Sequence, residues 1–464
     1  MSTTAIPDRE VETPVASDVE SPNRLRLPRL GTSVSVAAAV AISSAPSLLP
    51  RSAVTAALFT GFMVALALTV ACAGRRVFGP RRPASLRLRA WTVVTAALIS
   101  GVALASNMHW QNRLRAAMDV EPVSWSYAVD VTGGALCVAL VLCGAGSALR
   151  RIFSALGRNR CVALLVTVAA LSYTLAVPFV RYTLSASYSA SNSAMDDAVA
   201  APTSETRSGG PGSSAPWRTL GREGRAFASG GQDLDTVRTY VGLESAATPD
   251  ERVALAVSEM ERAGAFERSV VVVAIPTGSG WVDENAITGA ERTFGGDVAT
   301  VAVQYSDKPS WATFLFAEDD ARRSANAVVR AVATRAAAEP TTPKVVVYGQ
   351  SLGSVAGSDA YLAVQQNISS LCGAVWAGPP AGSVDTDGAA VLANSSDPVA
   401  RWSLDLLWSP PDTTTFTIDA PRPPWLPVVG FLQTSVDLLA ALDVTSGHGH
   451  RYGTDQGEAM ARCR

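Results

Sequence analysis

Charge is scarce in this chain of 464 residues: 17% are Asp, Glu, Lys or Arg, against 48% hydrophobic. That balance excludes a disordered polypeptide and is too apolar for a single water-soluble domain, while the length allows two or three domains. Lysine occurs only at Lys308 and Lys344 against 36 Arg, a skew read as coding bias without functional content. Histidine is limited to His109, His448 and His450, and neither an HExxH nor a CxxC motif occurs. A metal centre is therefore not expected, and no cofactor is expected either.

What charge there is falls unevenly. Residues 1–183 carry 18 Arg and 8 acids; the remainder carries 20 Lys and Arg and 32 acids. The acidic half has no basic cluster to neutralise phosphates, which argues against a nucleic-acid partner. In the basic half the Arg residues flank apolar runs near 31–49, 52–74, 88–106, 127–149 and 161–181. Each is close to the 20 or so residues that cross a bilayer core. The first is the weakest, broken by serines and Pro46, and only Pro50 and Arg51 separate it from the second, so a tight hairpin is expected there. None shows the polar stripe of a soluble helix.

Arg residues alternate around these runs. Arg24, Arg26 and Arg29 precede the first, Arg51 alone follows it, and six Arg lie between 75 and 89. Arg113 and Arg115 come next, then Arg150, Arg151, Arg158 and Arg160, and after Arg181 no Lys or Arg appears before Arg207. Cytoplasmic loops retain Arg, so five spans with a cytoplasmic tail over 1–30 place everything beyond 183 outside the cytoplasm. Asp130 is the one ionisable residue well within a run. It lies on the outer face with His109, Trp110, Arg113 and Arg115, where interfacial anchoring is expected ahead of a role in holding a lipid headgroup, and an ion path is not expected. The segment 31–183 is thus expected to act as a membrane anchor.

Residues 184–215, rich in Ser, Ala, Gly and Pro, have the composition of a flexible linker. From 216 to 464 helical and strand patterns alternate. Strands are expected at 269–275, 299–305, 344–348, 372–377 and 389–394, and helices at 249–264, 285–293, 317–337, 353–366 and 428–442. The fold class is an α/β domain with a doubly wound, mostly parallel sheet. Cys372 and Cys463 are the two cysteines of this outer part, and an oxidising compartment allows them a disulfide.

Within that domain Gly349-Gln-Ser351-Leu-Gly353 follows a strand and opens a helix, the context in which Gly-x-Ser-x-Gly lifts a serine hydroxyl above a sheet edge. Serine needs a base. With His109 in the membrane half, the base is His448 or His450, His448 being slightly preferred. Asp397, in a turn set by Pro398 directly after the strand ending at 394, is the preferred acid over Asp405, Asp412, Asp419, Asp437 and Asp443. Leu352 supplies one N–H to an oxyanion, and the glycine-rich turn Thr277-Gly278-Ser279-Gly280-Trp281 supplies a second, through Gly278 or Ser279. That turn is not followed by Gly-Lys-Ser/Thr, so it is no phosphate loop.

Taken together, Pro46-Ser-Leu-Leu-Pro-Arg51, Leu220-Gly-Arg-Glu-Gly-Arg225, Gly278-Ser-Gly-Trp281, Gly349–Gly353, Ser396-Asp-Pro398 and Gly447-His-Gly-His450 give the chain its resemblance to a bacterial, chiefly actinobacterial, family of membrane-anchored α/β-hydrolases. Gln350 stands where many relatives carry Glu, at a position outside the triad. The resemblance implies an extracytoplasmic serine hydrolase acting on an ester of a lipid or envelope component, with aminoacylated membrane lipids as one such class. Acyl transfer would use the same triad. An inactive hydrolase fold serving as an envelope scaffold is the alternative from another class. The stretch 399–427, with Trp402, Trp408, Trp425 and several prolines, is a candidate lipid-facing cap.

Overall fold

A computed structural model describes residues 27–79, 84–231, 235–310, 312–313 and 317–463. The tail expected over 1–30 lies almost wholly outside them, as do Arg24, Arg26, Arg81 and Arg82 of the orientation count. The N-terminal region is helical: α1 Leu30–Ser43, α2 Ala53–Val77, α3 Leu86–Ala117, α4 Trp125–Leu156, α5 Arg158–Leu171 and α6 Val177–Ser193. The last two are joined by one π-helical turn, Ser172–Ala176. Four stretches are long and apolar enough to cross a membrane: α2, α3, α4 and the α5–α6 rod from Asn159 to Ser193. Five spans were expected. The first run yields 14 helical residues, about 21 Å at 1.5 Å per residue, because the chain leaves the helix at Ser43 and runs through a loop to Ser52.

That loop joins the two halves of the molecule. From the helix side, α3 holds it through Asn107 Nδ2 to Ser44 O (3.1 Å), Trp110 Nε1 to Ser47 O (2.9 Å) and Arg115 Nη2 to Arg51 O (2.9 Å). On the opposite side, Arg51 donates to both the Asp437 carboxylate (2.8 Å) and Gln433 O (3.0 Å). Leu48 N–H donates to the other Asp437 oxygen at 2.7 Å. Leu48, Leu49, Trp110, Leu114 and Met118 then pack with Ala420 and Val444 in one apolar cluster. Burial raises the Asp437 pKa, and Arg51 with the Leu48 and Leu49 amides opposes that rise.

The C-terminal domain is built on seven parallel strands in the order β1-β3-β2-β4-β5-β6-β7. They are β1 Val237–Val241, β2 Val270–Ile275, β3 Val298–Val303, β4 Lys344–Gln350, β5 Leu371–Ala377, β6 Ala389–Asn394 and β7 Phe416–Thr417. The uninterrupted valines of β2 follow from burial on both faces. Val271, Val273 and Ile275 meet the helices Pro249–Arg262, Glu318–Ala337 and Leu352–Val364. Val270, Val272 and Ala274 meet Phe227, the helix Glu284–Thr293 and the C-terminal turn with Met460. The doubly wound parallel sheet is the expected fold class. A disulfide joins Cys372 on β5 to Cys463, with Cα atoms 5.7 Å apart.

The linker expected over 184–215 is not a free spacer. Its first part continues α6 to Ser193. Further on, Arg238 N–H donates to Thr206 O and Ser208 N–H to Arg238 O, covering the edge of β1. Arg207 is fully buried, with Nη1 on Ala228 O at 2.9 Å. Glu259 anchors the end of this strap through Ser213 Oγ (2.8 Å) and Ser214 N–H (2.5 Å). Composition misleads here because the strap is held by backbone pairing to a sheet edge and by two buried charges, neither of which requires large apolar side chains.

Candidate active site

The site lies at the C-terminal edge of the sheet, where strands of an open α/β fold deliver functional groups. Ser351 follows β4 with φ 52° and ψ −122°, a backbone conformation that few non-glycine residues adopt. The two motif glycines make the turn possible. A Cβ on Gly349 would lie 2.3 Å from Gly353 O, and one on Gly353 would lie 2.3 Å from Ile275 O. Ser351 N–H is held by Ala377 O at the end of β5 (3.0 Å). Leu352 is the first residue of the helix Leu352–Val364, so its N–H has no partner within that helix.

Because Gly353 packs directly on Ile275, the start of that helix abuts the chain leading into Thr277–Trp281. This turn is closed by Thr277 N–H to Trp281 O and Gly280 N–H to Thr277 O, both 2.9 Å. Its carbonyls are held from behind: Gln304 Nε2 donates to Ser279 O (2.9 Å) and Tyr240 OH to Gly280 O (2.7 Å). None of these bonds uses the Gly278 or Ser279 N–H.

Asp397, fully buried, caps the short helix Pro398–Arg401: Oδ1 accepts from Val399 N–H (2.8 Å) and more weakly from Ala400 N–H (3.4 Å). Its Oδ2 faces His450 Nδ1 at 2.8 Å and accepts from Tyr452 OH at 2.6 Å. Burial first, and then the Asp397 charge, keep Tyr452 protonated by raising its pKa well above the usual phenol value. The imidazole of His450 stands over the residue following Ala377, since a Cβ on Gly378 would meet His450 Cε1 at 2.7 Å. Gln350 Nε2, from the elbow itself, donates to His450 O at 3.2 Å. The His450 loop is thus bonded to the elbow through Gln350 and packs on the residue after β5.

His448, the slightly preferred base, is not paired with Asp397. Its Nδ1 lies 3.0 Å from Asp419 Oδ2. Asp419 also accepts from Ser395 Oγ (2.9 Å), Ser396 N–H (3.0 Å) and Ser396 Oγ. Two histidine–aspartate pairs therefore stand side by side, and the histidine that meets the preferred acid is His450. Among the competing acids, Asp405, Asp412 and Asp443 are exposed, and Asp437 is engaged by Arg51.

Sequence reasoning missed Tyr452 and the buried chain behind Ser351. In that chain Tyr348 OH donates to Gln456 Oε1 (2.7 Å), and Gln456 Nε2 donates to Asp283 Oδ2 (2.9 Å). One signal was available for Tyr452: His448, His450 and Tyr452 alternate along the chain, placing polar groups at spacing two. Nothing in the sequence tied Gln456 to the elbow. Among the described residues, no group of three or more His, Cys, Asp or Glu side chains is arranged for a metal ion.

In the stretch considered as a cap, Trp402 donates to Ser435 Oγ (2.9 Å) and Trp425 to Leu406 O (3.0 Å), whereas Trp408 is exposed.

Comparison with known proteins gives a family. Residues 237–388 and 385–463 match a model described as an alpha/beta-hydrolase family, and residues 45–231 match the model of that family's N-terminus. Neither a curated protein nor a solved structure matches the chain. The two matches take in both the helical region and the parallel sheet, and the chain belongs to this alpha/beta-hydrolase family.

Proposed function

We propose that the chain is a membrane-anchored serine hydrolase that cleaves an ester of a lipid or cell-envelope component, with Ser351 as nucleophile, His450 as base and Asp397 as the group orienting the base. Ser351 Oγ attacks the ester carbonyl as its proton passes to His450, and the resulting oxyanion is received by the Leu352 N–H and by the Gly278–Ser279 backbone. His450 then protonates the departing alkoxide. Water, deprotonated by the same imidazole, releases the acyl group as acid and restores the serine. Asp397 stabilises the charged imidazole and fixes its tautomer. The observation that carries this reading is the buried His450–Asp397 pair fastened beside a serine in a strained strand-to-helix turn.

A lipid-borne ester is supported by the anchor, which holds the enzyme where such esters are concentrated. Leu404, Trp408, Leu426 and Leu439 are exposed around the cap and the helix that docks on the membrane region. The extracytoplasmic orientation is supported by the distribution of Arg. Arg75, Arg76, Arg87 and Arg89 at the α2–α3 ends and Arg150 and Arg151 at the end of α4 lie opposite Arg51 and Arg115, which are committed to internal bonds.

A membrane-impermeant fluorophosphonate applied to intact cells tests both parts. Labelling is expected in the native protein and is expected to vanish in Ser351→Ala. Labelling only after the membranes are opened contradicts the orientation. No labelling of folded protein in either preparation contradicts the hydrolase reading and favours the scaffold.

A further inference from the structure

Arg401 ends the short helix that Asp397 caps, and its side chain is only 7% exposed. Its Nε has no hydrogen-bond partner, and its guanidinium sits 5.5 Å from the centre of the Phe416 ring. Arg422 lies close enough to repel it. Burial, together with Arg422, pushes the Arg401 pKa down to about 10, against a partial opposing effect of Asp419. Asp419 offsets this only in part, since its oxygens bond His448, Ser395 and Ser396 and not Arg401. No ion pair among the described residues includes Arg401 or Arg422. A buried guanidinium without an ion-pair partner is unfavourable in itself, and an arriving anion relieves it.

The surrounding space has a shape suited to such an anion. A cavity of about 250 Å³ is lined by Arg401, Arg422, Pro424 and Trp425 and, from the membrane region, by Pro46 and Leu48. A second cavity of about 470 Å³ shares Arg401 and extends to Pro379 and Pro380, directly after the glycine over which His450 stands. Arg401 thus stands where a space bounded by the α1–α2 loop meets one bounded by β6 and by the chain just beyond β5. Two guanidinium forks around one group suit the paired non-bridging oxygens of a phosphate diester, whereas a carboxylate satisfies a single fork. Proline and tryptophan walls suit the apolar part of an amphiphile.

We propose that Arg401 and Arg422 bind the phosphate of an anionic lipid headgroup, so that the ester presented to Ser351 is carried by a phospholipid. This rests on the serine-hydrolase reading for the ester and on the cavity alone for the phosphate.

The test uses the full chain in nanodiscs and the same fluorescent acyl ester on two carriers, phosphatidylglycerol and neutral diacylglycerol. The native protein is expected to favour the anionic carrier. In Arg422→Gln, an exposed position, the ratio of kcat/KM for anionic over neutral carrier is expected to fall about tenfold or more. Arg401→Lys, which keeps the charge but removes the fork, is expected to lower the ratio as well. An unchanged ratio in both variants overturns the proposal and leaves the Ser351 reading intact. If the native protein cleaves neither ester, the catalytic reading fails and binding decides the site by itself. Tighter binding of phosphatidylglycerol vesicles than of phosphatidylcholine vesicles, lost in the double variant, upholds it. Equal binding of the two, or inorganic phosphate competing as strongly as the anionic lipid, overturns the headgroup assignment.

Discussion

Two adjacent strand ends each deliver an aspartate to the same edge, and one loop delivers a histidine to each, yet the two pairs differ in what surrounds them. At the end of β6, Asp397 is fully buried, and its second oxygen is shared by His450 and Tyr452. Beyond β7, Asp419 serves two serines as well as His448, whose side chain is 18% exposed. In the proposed mechanism the inner pair holds an imidazole in one tautomer for Ser351. The outer pair pins β6, β7 and the histidine loop together: Ser396 Oγ accepts from Gly449 N–H at 2.8 Å, and Ser395 N–H donates to Thr417 O. A histidine–aspartate contact by itself therefore does not single out the base, since the site holds two. The contrast lies in burial and in closeness to the elbow.

The sharpest way to break this contrast is to remove each imidazole in turn. His450→Gln is expected to lower kcat/KM by about 10⁴-fold, as loss of the base does in serine hydrolases. Asp397→Asn leaves the packing but offers His450 an amide, and a loss of about 10³–10⁴-fold is expected. Steady-state kinetics on a soluble chromogenic ester measures both. Equal losses from the inner and outer histidines would erase the distinction.

Tyr452→Phe sharpens it on a finer scale. The variant deletes one donor to Asp397, and a loss of about tenfold is expected from one hydrogen bond to a charged group. Because the ring is kept and only the hydroxyl is lost, the loss is expected in kcat and not in KM; a loss spread equally over both would assign Tyr452 to packing alone. His448→Gln has the smallest expected effect on turnover, less than about threefold, because its ring bonds an aspartate that keeps its two serine partners.

How much of this was legible in the sequence varies by element. The sheet interior was, because strands such as β2 are buried on both faces and read as continuous apolar runs. β1 was not: Val237-Arg-Thr-Tyr-Val241 carries Arg238, which is buried against Glu284 and Glu291, and no hydropathy pattern reveals a charge neutralised from another helix. The strap from Ser204 to Ala215 escaped notice for the same reason, since Glu259 and β1 hold it from elsewhere in the chain. At the site, Ser351 was readable from local spacing, as its strained turn is made by its immediate neighbours. Which histidine meets Asp397 was not, because two residues of sequence decide between two aspartates that only the sheet brings close. The motif Pro46–Arg51 was recognisable as a pattern but silent about its purpose until Asp437 was found against Arg51.

The central claim is that His450, held by Asp397, activates Ser351. The most direct measurement is the second-order rate of fluorophosphonate labelling of Ser351 in the full chain for the native protein, His450→Gln and His448→Gln, each checked for folding by thermal melting. The account predicts labelling near the native rate in His448→Gln and labelling reduced by at least about a thousandfold in His450→Gln. Rapid labelling in folded His450→Gln, together with its loss in His448→Gln, would contradict the assignment and make Asp419–His448 the catalytic pair.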